Sequence, residues 1–154
     1  MNTHENFLRQ AIALSRQARD AGNHPFGALL VLDGQVILTA MNSVYTDHDP
    51  TAHAETNLMA DAIRKFSPEQ IRHSIIYTSC EPCAMCASTM YWGGFRSVVY
   101  GLSSVELAVM AGPSFLVPCR DLFSRAAEEV SVSGPLLLDE ARTVHEGFWN
   151  KPSL

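Results

Sequence analysis

Positive charge is scarce in this chain: lysine and arginine number 11 against 16 aspartates and glutamates, giving a net charge of −5. An acidic chain makes a poor general ligand for phosphate backbones. No run of roughly 18 apolar residues occurs, so no membrane-spanning helix is expected. The opening residues, Met1-Asn2-Thr3-His4-Glu5, are polar and acidic, unlike a secretory signal, and a cytoplasmic location is expected. Cysteine is sparse, with 4 in 154 residues. Cys80, Cys83 and Cys86 are too closely spaced to pair usefully, and Cys119 stands alone, which reads as metal-binding thiols in a reducing compartment. Repeats, low-complexity tracts and linkers are absent. With 47% hydrophobic residues, one domain spanning residues 1–154 is expected.

What is present is an alternation of helical and strand patterns. Asn2 with Glu5 marks a helix start, Phe7, Ala11, Leu14 and Ala18 repeat at helical spacing, and Gly22 ends the helix. Phe26 to Leu32 and Gln35 to Ala40 are strand-like runs joined at Asp33-Gly34, a hairpin signal. Ala52 to Phe66 favours helix, with Ser67-Pro68 as its breaker. Ser74 to Ser79 reads as a buried strand, Cys83 to Trp92 as a helix and Ser97 to Gly101 as a further strand. Helical patterns near Val105–Met110 and Asp121–Ala127 precede a strand at Glu129 to Ser133. That connection exceeds the roughly dozen residues a parallel crossover needs, so the last two strands are expected to be parallel. A final helix is expected from Leu137 to Trp149. The order implies an α/β domain, a central sheet covered by helices.

The chemistry concentrates in His53-Ala54-Glu55 and Pro82-Cys83-Ala84-Met85-Cys86. Together these offer one imidazole and two thiolates to a metal. Pro82 suits the first position of a helix, which places Cys83 and Cys86 on one face of its opening turn, where partial positive charge favours thiolate. Zinc held by three protein groups keeps a position for water, whereas a closed four-ligand site only holds a fold together. Cys80 allows that closed reading, since Cys80-Glu81-Pro82-Cys83 is also a C-x-x-C; Cys80 is expected at a strand end, facing away from the site. Glu55, two residues from the imidazole, is placed to carry protons. In the plainer reading it is a solvated first-turn residue.

H-x-E followed by P-C-x-x-C is the signature of zinc-dependent nucleobase deaminases. From the first helix to about Gly101 the sequence resembles the cytidine deaminase-like superfamily, and within it the bacterial guanine deaminase branch. Pro25-Phe26-Gly27-Ala28, Asp49-Pro50-Thr51-Ala52-His53-Ala54-Glu55, Tyr77-Thr78-Ser79-Cys80-Glu81-Pro82-Cys83-Ala84-Met85-Cys86 and Tyr91-Trp92 carry the resemblance. tRNA adenosine deaminases and yeast-type cytosine deaminases share the metal core, but usually have valine or isoleucine at the position of Phe26. The resemblance implies a three-layer α-β-α fold with a five-stranded mixed sheet. It implies one Zn2+ per chain on His53, Cys83 and Cys86, and Glu55 as proton shuttle. Asn42 would hydrogen-bond the base, backbone N–H groups at Ala54 and Cys83 would position substrate or hydroxide, and Phe26 and Trp92 would wall the pocket. Packing in the core is the plainer role for Phe26 and Trp92, and a turn for Asn42. Guanine deaminases carry an acidic residue after the fourth strand, where this chain has Ala111-Gly112-Pro113-Ser114-Phe115. Asp139, Glu140, Glu146 or His145 in the last helix are the other candidates for the pocket.

The leading expectation is hydrolytic deamination of a free purine-like base, guanine first, or a related amino-heterocycle, by a homodimer. tRNA adenosine deamination or cytosine and nucleoside deamination are the alternatives. Nucleic acid is disfavoured by the charge and by a C-terminal tail, Phe148-Trp149-Asn150-Lys151-Pro152-Ser153-Leu154, with a single lysine. A non-catalytic zinc-stabilised interaction domain is the remaining class. Phe115-Leu116-Val117 and Phe148-Trp149 are apolar segments that fit either a subunit interface or the core.

Overall fold

The computed structural model describes residues 3–149. Asn2, the expected helix start, and the tail from Asn150 lie outside the described residues. Helix α1 (Thr3–Asp20) buries Leu8, Ala11, Ile12 and Ala18, one face of the helical repeat. Strands β1 (Gly27–Leu32) and β2 (Gln35–Met41) turn over at Asp33 and Gly34, whose φ values of 49° and 76° are the left-handed pair a tight hairpin requires. Short α2 (Val44–Asp47) leads to α3 (Ala54–Lys65), α4 (Pro68–His73) and β3 (Ile75–Cys80). Then follow α5 (Ala84–Gly93), β4 (Ser97–Leu102), α6 (Ser104–Ala111), α7 (Cys119–Phe123), β5 (Ser131–Ser133) and α8 (Leu138–Thr143).

The sheet runs β2-β1-β3-β4-β5. β1 pairs antiparallel with β2 and β3, while β3–β4 and β4–β5 are parallel, as the long final connection required. Because side chains alternate along each strand, the sheet feeds two separate cores. Ala28, Leu30, Ile76 and Val98 pack with Leu58, Met59, Cys86 and Met90 of α3 and α5. Leu29, Val31, Tyr77 and Val99 pack with Leu8, Ala11 and Ile12 of α1 and Ala141 of α8. The fold is therefore three layers, α-β-α. No helix among the described residues is long and apolar enough to cross a membrane.

Helix α1 lies almost on the sheet backbone at Gly27. A Cβ there would sit 2.5 Å from Ser15 N and 2.6 Å from Ala11 O. Gly27→Ala forces the two layers apart and is expected to lower stability by about 1–3 kcal/mol, read from the urea midpoint.

Several boundaries differ from expectation for local reasons. Ser67-Pro68 ends α3 but also starts α4: the Ser67 hydroxyl accepts from Gln70 N, with proline at the first helical position. Helix α7 begins at Cys119, ahead of the expected Asp121. Helix α8 stops at Thr143, and turns carry the chain on to Trp149. Gly147 has a φ of 73°, and the Arg19 guanidinium donates to the carbonyls of Val144 and Glu146, drawing them out of a helical ladder.

Candidate active site

Two helix starts meet just past the carboxyl end of β3. His53 is the N-cap of α3, in extended backbone, and its N–H donates to Thr56 Oγ1 at 3.0 Å. The Thr56 hydroxyl donates in turn to the carbonyl of Thr51, closing the turn that presents the imidazole. Cys83 is the N-cap of α5, and Cys86 lies in that helix's first turn. Pro82 therefore precedes the cap and does not occupy the first helical position, because Cys83 itself takes extended backbone (φ −68°, ψ 173°).

His53 Nδ1 lies 3.6 Å from each of the two sulfurs. The three donor atoms fall within 4.8 Å of one another, a grouping that no other His, Cys or carboxylate set among the described residues matches. Tetrahedral zinc with Zn–S of about 2.3 Å and Zn–N of about 2.1 Å sets nitrogen and sulfur about 3.6 Å apart, so the donor set fits zinc as it stands. The Cys83 thiol is pushed down to about 4, first by its hydrogen bond with Cys86 and then, against burial, by His53. The same contact, with burial, pushes Cys86 up. Cys83 is thus predisposed to the thiolate form, and Cys86 would give up its proton to a bound cation.

Cys80 stays out of the group. It is 2% exposed, packed in the core with Leu29, Val99 and Leu102, and burial raises its thiol well above the ordinary range. Cys119 is likewise buried and pushed up to about 12, chiefly by burial. No fourth protein ligand closes the site among the described residues.

Glu55 is buried, which removes the reading of a solvated first-turn residue. Its Oε1 accepts from Thr78 Oγ1 of β3 at 2.5 Å, and its Oε2 lies 3.5 Å from Cys86 Sγ. Burial pushes its carboxyl up, with the Thr78 hydrogen bond pulling the other way.

His53 and Cys83 open onto a cavity of about 410 Å3 that is also lined by His24, Phe26, Asn42 and Trp149, and by α6 and the segment 111–117. A larger depression of about 950 Å3 beside β2 and α3 contains no member of the metal cluster. Asn42 immediately follows β2; its N–H donates to the Phe26 carbonyl at 3.0 Å and its Oδ1 accepts from Val44 N at 3.1 Å. Its Nδ2 keeps no protein partner among the described residues. Ala54 is fully buried as the first residue of α3, so its N–H is one of the helix-start donors without an intrahelical partner.

Trp92 corrects the expectation. It is 85% exposed and lines a separate groove with Leu122 and Ala126. Six residues beyond Cys86, it lies about 120° round the helix and about 9 Å further along, so it faces away from the site. The acidic candidates of the last segment also stay outside: Asp139, Glu140 and Glu146 are exposed, and Glu140 pairs with Arg9 at 3.0 Å. His145 is buried behind the wall, its ring 5.4 Å from that of Phe26, and its Nδ1 accepts from Trp149 Nε1 at 3.1 Å.

Burial, and secondarily Arg19, push His145 down to about 4, so it is neutral in the fold. Its ordinary value lies near 6.5. A depressed folded value means stability that is complete above about 6.5 and lost as pH falls toward 4, by up to roughly 3 kcal/mol. Relative to His145→Phe, the wild type is expected to lose stability selectively over that interval, followed by urea melts and Trp149 fluorescence.

The sequence reading passed over three residues that the cavity includes. His24 directly precedes the Pro25-Phe26 motif; its ring packs 4.9 Å from Tyr45 and 5.5 Å from Trp149, and no hydrogen bond engages its nitrogens among the described residues. Burial, then His53, pushes it down, leaving a neutral imidazole. Trp149, which by sequence fits an interface or the core, lines the cavity, as does Glu81 from within Cys80-Glu81-Pro82-Cys83.

Residues 1–102 match the family model for the cytidine and deoxycytidylate deaminase zinc-binding region. The chain is 37% identical over 149 residues to a probable cytosine deaminase of Schizosaccharomyces pombe, covering 94% of this chain and 91% of that protein. It is 41% identical over 106 residues to the guanine deaminase of Bacillus subtilis, 68% of each chain. The solved structure of a Bacillus subtilis guanine deaminase superposes with a TM-score of 0.67 over 87% of this chain and 84% of that one, at 38% identity. A solved tRNA:A34 deaminase superposes with a TM-score of 0.74 over 91% of this chain and 99% of that one, at 26% identity. A His-Cys-Cys donor set of zinc dimensions beside a buried glutamate, on a sequence whose residues 1–102 match the model, places this chain in the zinc-binding cytidine and deoxycytidylate deaminase family, as an enzyme of the deaminase class.

Proposed function

We propose that the protein hydrolyses the exocyclic amine of a free nucleobase, guanine first, and releases ammonia. The observation that carries this reading is the convergence of His53, Cys83 and Cys86 beside buried Glu55, at a cavity with aromatic walls. Zinc held by those three side chains supplies a Lewis acid and makes water acidic enough to serve as a nucleophile near neutral pH.

The chain's own residues do the rest. Glu55 takes the proton of the attacking water and delivers it to the ring nitrogen beside the amine-bearing carbon. Glu55 then takes the proton of the hydroxyl now on that carbon and gives it to the amine, which leaves as ammonia as the carbonyl forms. Thr78 holds the carboxyl in place, and burial keeps its proton affinity high enough for it to act as acid as well as base. Asn42 Oδ1 is engaged by Val44, which leaves Nδ2 to donate to an acceptor on the base. The N–H groups of Ala54 and Cys83 lie at helix starts and are available to an oxygen. Phe26 and Trp149 offer the faces against which the base stacks, the part first expected of Trp92.

Guanine ranks first because the sequence motifs resemble those of the guanine deaminase branch and the Bacillus subtilis enzyme shares 41% identity over 106 residues. Cytosine is the second reading, favoured by the near-full-length likeness to the Schizosaccharomyces pombe protein and by a segment 111–117 that carries no carboxylate. A tRNA substrate fits a net charge of −5 poorly. Residues 1–154 then form one deaminase domain, cytoplasmic and homodimeric, the assembly being open to light scattering. The test is ammonia release from guanine, cytosine, adenine, their nucleosides and an anticodon stem-loop. Zinc-loaded protein that releases none from any free base ends the proposal, and faster inosine formation in the stem-loop transfers it to tRNA.

A further inference from the structure

Glu81 is a buried carboxylate with no part in the chemistry above, yet all its acceptor capacity points at one piece of chain. Its Oε2 accepts from both Ser104 N and Ser104 Oγ at 2.7 Å, and its Oε1 accepts from Cys119 N at 2.9 Å. Its own N–H donates to the Leu102 carbonyl at 2.8 Å, fixing it at the end of β4. Ser104 opens α6 and Cys119 opens α7, so one side chain grips both ends of the excursion between them. That excursion supplies Leu107, Ala108, Pro113 and Phe115 to the cavity. Leu107 and Met110 pack half-buried against the core on the α1 side of the sheet, but no residue of helix α6 is fully buried and Phe115 is 81% exposed. Among the described residues an ion pair between Arg142 and Glu106 is its further polar tether to another element.

We infer that Glu81 is a positioning residue: its carboxylate clamps the two ends of the 104–119 wall to the turn that carries Cys83, and so shapes the pocket that receives the base. A carboxylate suits the task because both its oxygens only accept, and the groups that face them, Ser104 N, Ser104 Oγ, Cys119 N and the Cys119 thiol, all donate. An amide satisfies one end and turns an N–H toward donors at the other. The kinetic half of the inference rests on the deaminase reading; the structural half does not.

The test uses zinc-loaded wild type, Glu81→Gln, Glu81→Ala and Ser104→Pro. The last removes both Ser104 donors at the first position of a helix, where proline is tolerated, and the extended Ser103 before it suits a following proline. It therefore tests the clamp even where Glu81→Ala fails to fold. Hydrogen–deuterium exchange across 104–118 is expected to quicken by about tenfold or more in Glu81→Ala and Ser104→Pro, and by less in Glu81→Gln, while α3 exchange and zinc content stay as in wild type. With guanine and cytosine as probes, KM is expected to rise about tenfold and kcat to stay within about threefold. Unchanged exchange in Glu81→Ala and Ser104→Pro overturns the clamp. Faster exchange with unchanged KM overturns its role in binding. Wild type that turns over neither base contradicts the proposed function instead, and exchange alone then decides the clamp.

Discussion

Glu55→Gln is expected to reduce ammonia release by about 10²–10⁴-fold while leaving zinc content and fold intact. The variant keeps the shape of the side chain and an oxygen to accept from Thr78 Oγ1, but it cannot carry a proton. In the metal-free protein its stability is expected to equal or exceed that of wild type. Glu55 is held in a place that raises its carboxyl, which means that the fold disfavours the charged form there. A residue that costs stability and is retained at a site of chemistry is the pattern of activity traded against stability. The two measurements are ammonia release by the zinc-loaded protein and thermal melting of the metal-free protein. Full activity in Glu55→Gln removes the proton-shuttle role, and lost activity with lost zinc would move Glu55 into the ligand set.

The second large effect is on the metal itself. Cys86→Ala is expected to purify nearly free of zinc and to be inactive, whereas Cys80→Ala is expected to hold about one zinc per chain. The contrast is sharp because the two thiols are both buried and lie six positions apart. Only Cys86 shares the 3.6 Å approach to His53 Nδ1 with Cys83. Chelation of the wild type should lower its melting temperature, since an ion that binds the folded state alone stabilises it by about 2.7 kcal/mol at a hundredfold excess over Kd. His53 and Cys83 cap α3 and α5, so the destabilisation is expected first in those two helix starts, where exchange of the first-turn amides should rise. A Cys80→Ala protein without zinc would reassign the ligand set.

The parts legible in the sequence were those where local spacing dictates geometry. Asp33-Gly34 specified its hairpin, since two left-handed residues in a row leave the chain few other routes. His53, Cys83 and Cys86 could be picked out because a helix start presents its cap and its first turn to the same point in space. Glu55 was legible through its fixed offset from His53. The parallel final strands followed from the length of their connection.

What stayed hidden depended on which distant segments touch. Trp92 and Trp149 are both aromatic residues near a helix end, and nothing local tells them apart. Trp92 points to solvent because its helix turns it away from Cys86. Trp149 reaches the cavity because Arg19, on the first helix, holds the carbonyls of Val144 and Glu146 and ends α8 early. His24 and Glu81 lie within or beside the sequence motifs, yet their contacts are with Tyr45, Trp149, Ser104 and Cys119, distant in the chain. The sequence by itself determined the layers and singled out His53, Cys83 and Cys86 as candidate metal ligands and Glu55 as candidate proton carrier, because each rests on spacings of a few residues within one helix or turn. Only the tertiary structure decided the walls of the pocket, since those walls are assembled from segments far apart in the chain, whose contacts depend on long-range packing that no local pattern encodes.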